Sequence, residues 1–212
     1  DRIRNHLKTL KLSRMEKALD EQLSIALKKK SCPSEFLEKL LEIEANSAVQ
    51  RCIERRIKES KLPERKLLAD FDFKFQTGVD KTQIMELATL SFIEQQQGLI
   101  LAGNSGTGKS HIAKALLLMV CQKRFRTRYT TAADMLKTLT SGLADDTLEI
   151  KLKRYVNPEV LLIDEIGFDR LEQESARNAS LFFKVIDGRY GNGSTIVTTN
   201  VDFKELGDYL GD

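Results

Sequence analysis

The chain has no run of 18 or so apolar residues in its 212, so nothing in it reads as a membrane span. Its first ten residues, DRIRNHLKTL, are charged, and no signal peptide is expected there. Cysteine is scarce: Cys32, Cys52 and Cys121 are odd in number, scattered and without metal-ligand spacing. That excludes a disulfide framework and a zinc cluster, and predicts three buried thiols in a reducing, cytoplasmic setting. Internal repeats and low-complexity tracts are also missing. An initiator Met is lacking, and Tyr209-Leu210-Gly211-Asp212 is not an obvious domain end, so an ordered fragment of a longer chain is expected.

What is present suits a helix-rich chain with a real core, 41% hydrophobic and 31% charged. The net charge of +3 hides an asymmetry. Residues 1–69 carry 17 Lys/Arg against 11 Asp/Glu, a balance of +6, and the remainder carries 17 against 20. A basic front half is compatible with a nucleic-acid partner, and equally with solvated helix faces.

Apolar residues recur at helical steps through Ile3, Leu7, Leu10, Met15, Leu19, Leu23 and Leu27, with a break near residues 11–13. Lys28-Lys29-Lys30 and Pro33 end that helical stretch. A second helix starts near Ser34, with Phe36, Leu37, Leu40, Leu41, Ala48, Cys52, Ile53 and Ile57 as its stripe, and Pro63 ends it. Residues 1–62 thus read as a small all-helical module, 63–80 as a linker, and 81–212 as an α/β domain. In the last, strands 98–102, 126–131, 160–163 and 194–199 alternate with helices at 81–96, after residue 108, at 132–141 and at 172–190. Continuous apolar strands between helices predict a parallel sheet covered on both faces.

Three stretches carry chemistry. The first is GNSGTGKSH: Gly103, Asn104, Ser105, Gly106, Thr107, Gly108, Lys109, Ser110 and His111 follow an apolar strand and open a helix. This is the spacing of a phosphate-cradling loop. Its glycines let successive backbone N–H groups turn toward phosphate oxygens, and the helix N-terminus faces the same charge. Lys109 reaches the β- and γ-phosphates, and the Ser110 hydroxyl is a ligand for Mg²⁺. The second is LLIDEIG, where a strand delivers Asp164 to hold Mg²⁺ through water and Glu165 to polarise an attacking water. The third is STIVTTN, ending in Asn200, which can position that water; a turn-forming Asn is the bland alternative.

In this order the three stretches resemble the AAA+ ATPases. GNSGTGKSHIAKAL (103–116), YTTAADML (129–136), LLIDEIGFDRL (161–171) and RYGNGSTIVTTN (189–200) look more narrowly like the IstB family of insertion-sequence transposition helpers, related to the DnaC helicase loaders. LKLSRMEKAL (10–19) and KLPERKLLADFDF (61–73) resemble that family's front module and junction. The resemblance implies an AAA+-type fold with ATP on residues 103–111, Mg²⁺ at Ser110 and Asp164, and catalytic roles for Lys109, Glu165 and Asn200. It also implies rings or helical oligomers in which a neighbour's arginine completes each site. The helix that would carry that arginine begins near Lys204, and the arginine itself is expected beyond residue 212. Arg177 and Arg189 precede the last strand and are expected to be structural or partner-facing.

The expected activity is ATP hydrolysis by a DNA-binding protein that assembles on duplex DNA and recruits a transposase. A DnaC-like loader acting on single-stranded DNA is the alternative. A small-molecule phosphotransferase, the other class, needs no water-activating glutamate and would show a second substrate motif, which is lacking. Candidate DNA contacts are Lys123, Arg124, Arg126, Arg128, Lys151, Lys153 and Arg154. The first four also suit a helix C-terminus. No aromatic or Asn/Gln pattern accompanies them, so contacts to the DNA backbone without sequence specificity are expected.

Overall fold

The structure is a computed structural model that describes residues 2–76, 78–167 and 176–201. It forms two compact units, residues 1–55 and 56–212. The first holds α1 (Arg2–Thr9), α2 (Ser13–Lys29) and most of α3 (Pro33–Ser60). Its core is small: Leu7, Met15, Leu19 and Leu40, with Leu12, Ala18 and Phe36 against them. Of the predicted stripes, Ile3, Leu10, Leu23, Leu27, Leu37 and Leu41 stay exposed. Three helices in about 55 residues cannot enclose that many apolar side chains.

Caps hold this unit together. Lys11 enters the left-handed region (φ 59°) and breaks the chain between α1 and α2, as the sequence pattern predicts. Lys30, also left-handed, ends α2, its N–H donating to Ala26 O and Leu27 O. Pro33 does more than end α2, because it is the first residue of α3, where its missing N–H costs nothing. The Glu35 carboxylate accepts the Cys32 N–H at 3.1 Å, half of a capping box. At the start of α2, where Leu12 offers no cap, Glu44 of α3 accepts the N–H groups of Arg14 (2.7 Å) and Met15 (3.1 Å). Arg51 donates to its other oxygen at 3.1 Å.

The second unit is a four-stranded parallel sheet in the order β1-β4-β3-β2, with β1 Leu99–Ala102, β2 Thr127–Thr131, β3 Val160–Ile166 and β4 Ser194–Thr199. The expected α/β class and parallel sheet are therefore observed. Its helices are α4 (Lys81–Leu87), the single turn α5 (Ser91–Glu94), α6 (Lys109–Gln122), α7 (Ala132–Ala144), α8 (Leu148–Val156) and α9 (Ala176–Arg189). Alternate residues of β3 serve opposite faces. Val160 and Leu162 pack with α6, Phe71, Ile84 and Phe92, while Leu161 and Ile163 pack with α7, α8 and α9.

Several expectations change. The helix read over 81–96 is broken by Leu90 at φ 65°. Helix α8 was not predicted. The segment 63–80, read as a linker, carries Phe71, which is buried against Ile112 and its neighbours. Of the three cysteines expected to be buried only Cys121 is; Cys52 is half-buried, and Cys32 is exposed in the turn before α3. No described helix is long and apolar enough to cross a membrane.

Arg189 has a structural place. Its side chain, 2% exposed, donates to the carbonyls of Tyr155, Val156, Pro158, Glu159 and Ser194 and to the Thr195 hydroxyl. It ties the end of α9 to the turn before β3 and to the start of β4. Burial with no anionic partner among these pulls its pKa down to about 10.

The Glu44 cap carries a pH dependence. Burial, the largest single influence, raises its pKa, but the bonds from Met15, Arg51 and Arg14 together outweigh it and hold the carboxyl below its usual value. A depressed folded-state pKa means stability present above the unfolded value of about 4.3 and lost as pH falls through the folded one. Glu44→Ala should lower unfolding free energy by about 1–2 kcal/mol at pH 7 and flatten the loss of α-helical circular dichroism below about pH 4.5. Acid melts parallel to the parent's would contradict this role.

Candidate functional site

The site lies at the C-terminal edge of the sheet, where an open parallel sheet places ligands. The loop 103–108 joins β1 to α6, and three of its glycines, Gly103, Gly106 and Gly108, have positive φ of 150°, 82° and 85°. Gly108 is needed twice over. Its backbone is left-handed, and a Cβ there would fall 2.4 Å from Phe71 Cε2. The loop is anchored at its start by Gly103 N–H to Thr199 O (3.2 Å). Within it, the Thr107 hydroxyl donates to Asn104 O at 2.9 Å. Asn104, Ser105 and Gly106 are exposed at its rim. Lys109 Nζ donates to Gly103 O (2.6 Å) and Asn104 O (2.8 Å), lying along the loop it is expected to serve. Burial lowers the Lys109 pKa, while the charge of Asp164 acts the other way.

Asp164 is the centre. It is fully buried, and its Oδ1 accepts from the Ser110 hydroxyl (2.8 Å) and the Thr198 hydroxyl (2.5 Å). Its Oδ2 accepts from the Tyr129 hydroxyl (3.2 Å) and pairs with Lys114 Nζ (3.3 Å). Lys114 also stands 5.5 Å from the Tyr129 ring centre. Burial, then the charge and hydrogen bond of Asp164, push the Tyr129 hydroxyl pKa well up, so it stays a donor.

A β-bulge interrupts β3 at Asp164–Glu165. In the β3–β4 ladder Ile163 faces Val197 and Ile166 faces Thr199, so Asp164 and Glu165 together stand opposite the single Thr198. A regular strand would send two consecutive side chains to opposite faces. Glu165 adopts φ 67°, and its N–H donates to Thr198 Oγ1 at 2.9 Å, while its side chain is exposed. Thr198 thus positions both acidic residues. Asn200 lies against Gly167, two residues after Glu165: a Cβ on that glycine would fall 2.6 Å from Asn200 Oδ1. His111 is turned to the segment before the sheet, with Nε2 2.9 Å from Leu67 O and its ring edge-on to Phe71.

Beside the loop opens a cleft of about 310 Å³, lined by Gln76, Val79, Asp80, Gln83, Ile84 and Ile100 as well as loop residues. The Gln76 amide donates to Gly106 O at 2.9 Å. The mixture of apolar walls and a few polar groups suits a flat heterocycle next to the phosphate cradle. Among the described residues no three His, Cys, Asp or Glu side chains gather to hold a metal. Ser110 and Asp164 are the two oxygen donors at the loop that could hold one.

The structure brings Gly103 to Ser110, Asp164, Glu165 and Asn200 to one edge of the sheet. Tyr129, Thr198, Lys114 and the cleft residues were missed by sequence reasoning. Lys114 had a signal, since it lies four residues after Ser110 on one helix face. The candidate DNA cations are less uniform. Lys123, Arg124, Lys153 and Arg154 are exposed. Arg126 pairs with Glu159, and Lys151 is held by Asp145 and Ser141. Lys151, then Thr147, pulls Asp145 down to about 2. Arg128 lies over the Tyr155 ring at 5.9 Å. The helix expected near Lys204, and residues 168–171 of LLIDEIGFDRL, lie outside the described residues.

Comparisons with known proteins identify the family. The profile of the family described as IstB-like ATP binding protein matches residues 5–212. The IS232 insertion-sequence protein of Bacillus thuringiensis subsp. berliner, described as ATP-binding, is 35% identical over 98% of this chain and 82% of its own length. Its IS5376 counterpart from Geobacillus stearothermophilus is 40% identical over 84% of this chain and 70% of its own. Among solved structures, the DnaC helicase loader superposes with a TM-score of 0.52 at 28% identity, over 63% of this chain and 82% of that one.

Gly108→Ala should weaken nucleotide binding by roughly tenfold or more, because φ 85° disfavours a Cβ and Phe71 occupies its space. Titration of a fluorescent ATP analogue measures it; unchanged affinity would show that the loop does not need its observed form.

Proposed function

The chain belongs to the IstB-like ATP-binding family of insertion-sequence proteins, and on that premise we propose that it is a Mg²⁺-dependent ATPase that assembles on duplex DNA and recruits a transposase. The observation that carries the hydrolytic reading is the bulge at Asp164–Glu165. It sets the buried Asp164 carboxylate against the phosphate-loop serine and the Thr198 hydroxyl, and holds the exposed residue Glu165 next to it through a backbone N–H on Thr198 Oγ1.

Residues 103–111 hold ATP, the loop N–H groups and Lys109 taking the phosphates and the 310 Å³ cleft taking the base. Ser110 Oγ and Asp164 Oδ1, 2.8 Å apart, are the hard oxygen donors that suit Mg²⁺, which is held by few protein ligands beside phosphates and waters. When bound, the metal neutralises charge on the phosphates. Glu165 accepts the proton of the attacking water, and Asn200, at the end of β4, orients that water. Lys109 leaves the carbonyls of Gly103 and Asn104 for the β- and γ-phosphates. A neighbouring subunit in a ring or helical assembly supplies an arginine.

DNA binding rests on exposed Lys123, Arg124, Lys153 and Arg154, with Arg126, Arg128 and Lys151 contributing where their present partners release them. Such contacts go to phosphates and weaken with salt. The helical module 1–62 docks the protein partner; its exposed Ile3, Leu10, Leu27 and Leu37 are surface a partner would cover. Residues 63–80 lead from it into the ATPase domain and carry Phe71 of that domain's core. Two relatives at 35–40% identity over most of the chain favour a transposase over a helicase, as the loader is 28% identical over 63%. A cytoplasmic site of action fits three unpaired cysteines.

Glu165→Gln should retain ATP binding, lower phosphate release by about 100-fold, and accumulate a stable oligomer on duplex rather than single-stranded DNA. Phosphate release and sedimentation with each DNA check this. Wild-type hydrolysis by the variant would remove Glu165 from the reaction, and a preference for single strands would favour the loader reading.

A further inference from the structure

Among the described residues, Lys114 is the cation that pairs with the proposed metal ligand Asp164, and nothing in the ATPase reading uses it. It projects from α6 one turn after Ser110, so that hydroxyl and ammonium reach the same carboxylate from one helix face. Its side chain is only 15% exposed, and Asp164 opposite is wholly buried, so solvent screens the pair little. The Tyr129 ring lies under the ammonium and its hydroxyl on the same Oδ2, which holds Lys114 in place.

The four partners fill the carboxylate. An ionised carboxylate offers about four lone-pair positions, two on each oxygen. Ser110 and Thr198 take those of Oδ1, and Tyr129 and Lys114 those of Oδ2. Only Lys114 among them carries charge. A divalent cation approaching Asp164 therefore competes with an ammonium 3.3 Å from Oδ2, and meets Lys109 in the loop as a second positive charge. Triphosphate reverses that balance, because it brings several negative charges to the loop mouth and a new set of acceptors for both lysines.

We propose that Lys114, backed by Tyr129, is an internal counter-cation that excludes a divalent metal from Asp164 until nucleotide phosphates arrive, so that metal and nucleotide enter together. This rests on the reading of Ser110 and Asp164 as the metal ligands. Lys114 acts as a positioning residue: it sets when Asp164 is free to serve and takes no part in the reacting atoms.

The test is Mn²⁺ binding by the 212-residue chain, read by electron paramagnetic resonance with and without a non-hydrolysable ATP analogue. Wild type should bind Mn²⁺ weakly alone and tightly with the analogue. Lys114→Met should bind Mn²⁺ about tenfold or more tightly without nucleotide, while Lys114→Arg, which keeps the charge, stays at the wild-type value. Tyr129→Phe, which loosens the support and keeps the ring, should show a smaller gain in the same direction, and serves if Lys114→Met does not fold. Folded Lys114→Met and Tyr129→Phe variants with wild-type Mn²⁺ affinity would overturn the proposal and leave the ATPase reading standing. A wild type that binds Mn²⁺ no better with the analogue would contradict the metal-site reading and the proposal with it.

Discussion

A carboxylate taken out of water must be given donors or lose its charge, and Asp164 draws four of them from three other elements. Ser110 and Lys114 come from α6, Tyr129 from β2, and Thr198 from β4, while Asp164 itself is on β3. The loop helix is thus tied to the centre of the sheet through one buried negative charge. Removing that charge would leave donors on three elements without their acceptor, so the same contacts that build the site also brace the edge of the sheet. A ligand that reaches Asp164 is felt by all of them at once.

Around this point the backbone is arranged to aim side chains rather than to extend the sheet. The bulge in β3 puts two acidic residues opposite one threonine, and Glu165 accepts a left-handed conformation to do so. Such a conformation is unfavourable by itself and persists because its N–H is held by Thr198. Gly108 and Gly167 serve the same purpose at their positions, where Phe71 and Asn200 fill the space a side chain would need. Behind them, Arg189 fixes the start of β4, the end opposite Thr198, through the Ser194 carbonyl and the Thr195 hydroxyl.

Much of this was legible in the sequence, for physical reasons. The loop was legible because glycine spacing and a strand-to-helix context are local, and the parallel sheet because buried strands are apolar without interruption. Glu165 and Asp164 were legible as a pair but not as a bulge, since nothing local marks the register shift between Ile163 and Ile166. Thr198 was hidden because a threonine in an apolar strand looks like a β-former, and Tyr129 because its partner is 35 residues away. The segment 63–80 was read as a linker because Phe71 and the cleft residues Gln76, Val79 and Asp80 show their role only once the sheet is assembled. In the front module the periodicity was right and burial was not, because three helices leave Leu10 and Leu27 without cover.

In the proposed reaction the charge of Asp164 links metal to nucleotide, and calorimetry on Asp164→Asn measures that link most directly. With the metal chelated, the folded variant should bind a non-hydrolysable ATP analogue within about twofold of the parent, since loop N–H groups and Lys109 hold the phosphates. With Mg²⁺ present, the parent's affinity should rise and the variant's should not. A variant that keeps the parent's full Mg²⁺ enhancement would contradict the account at its centre.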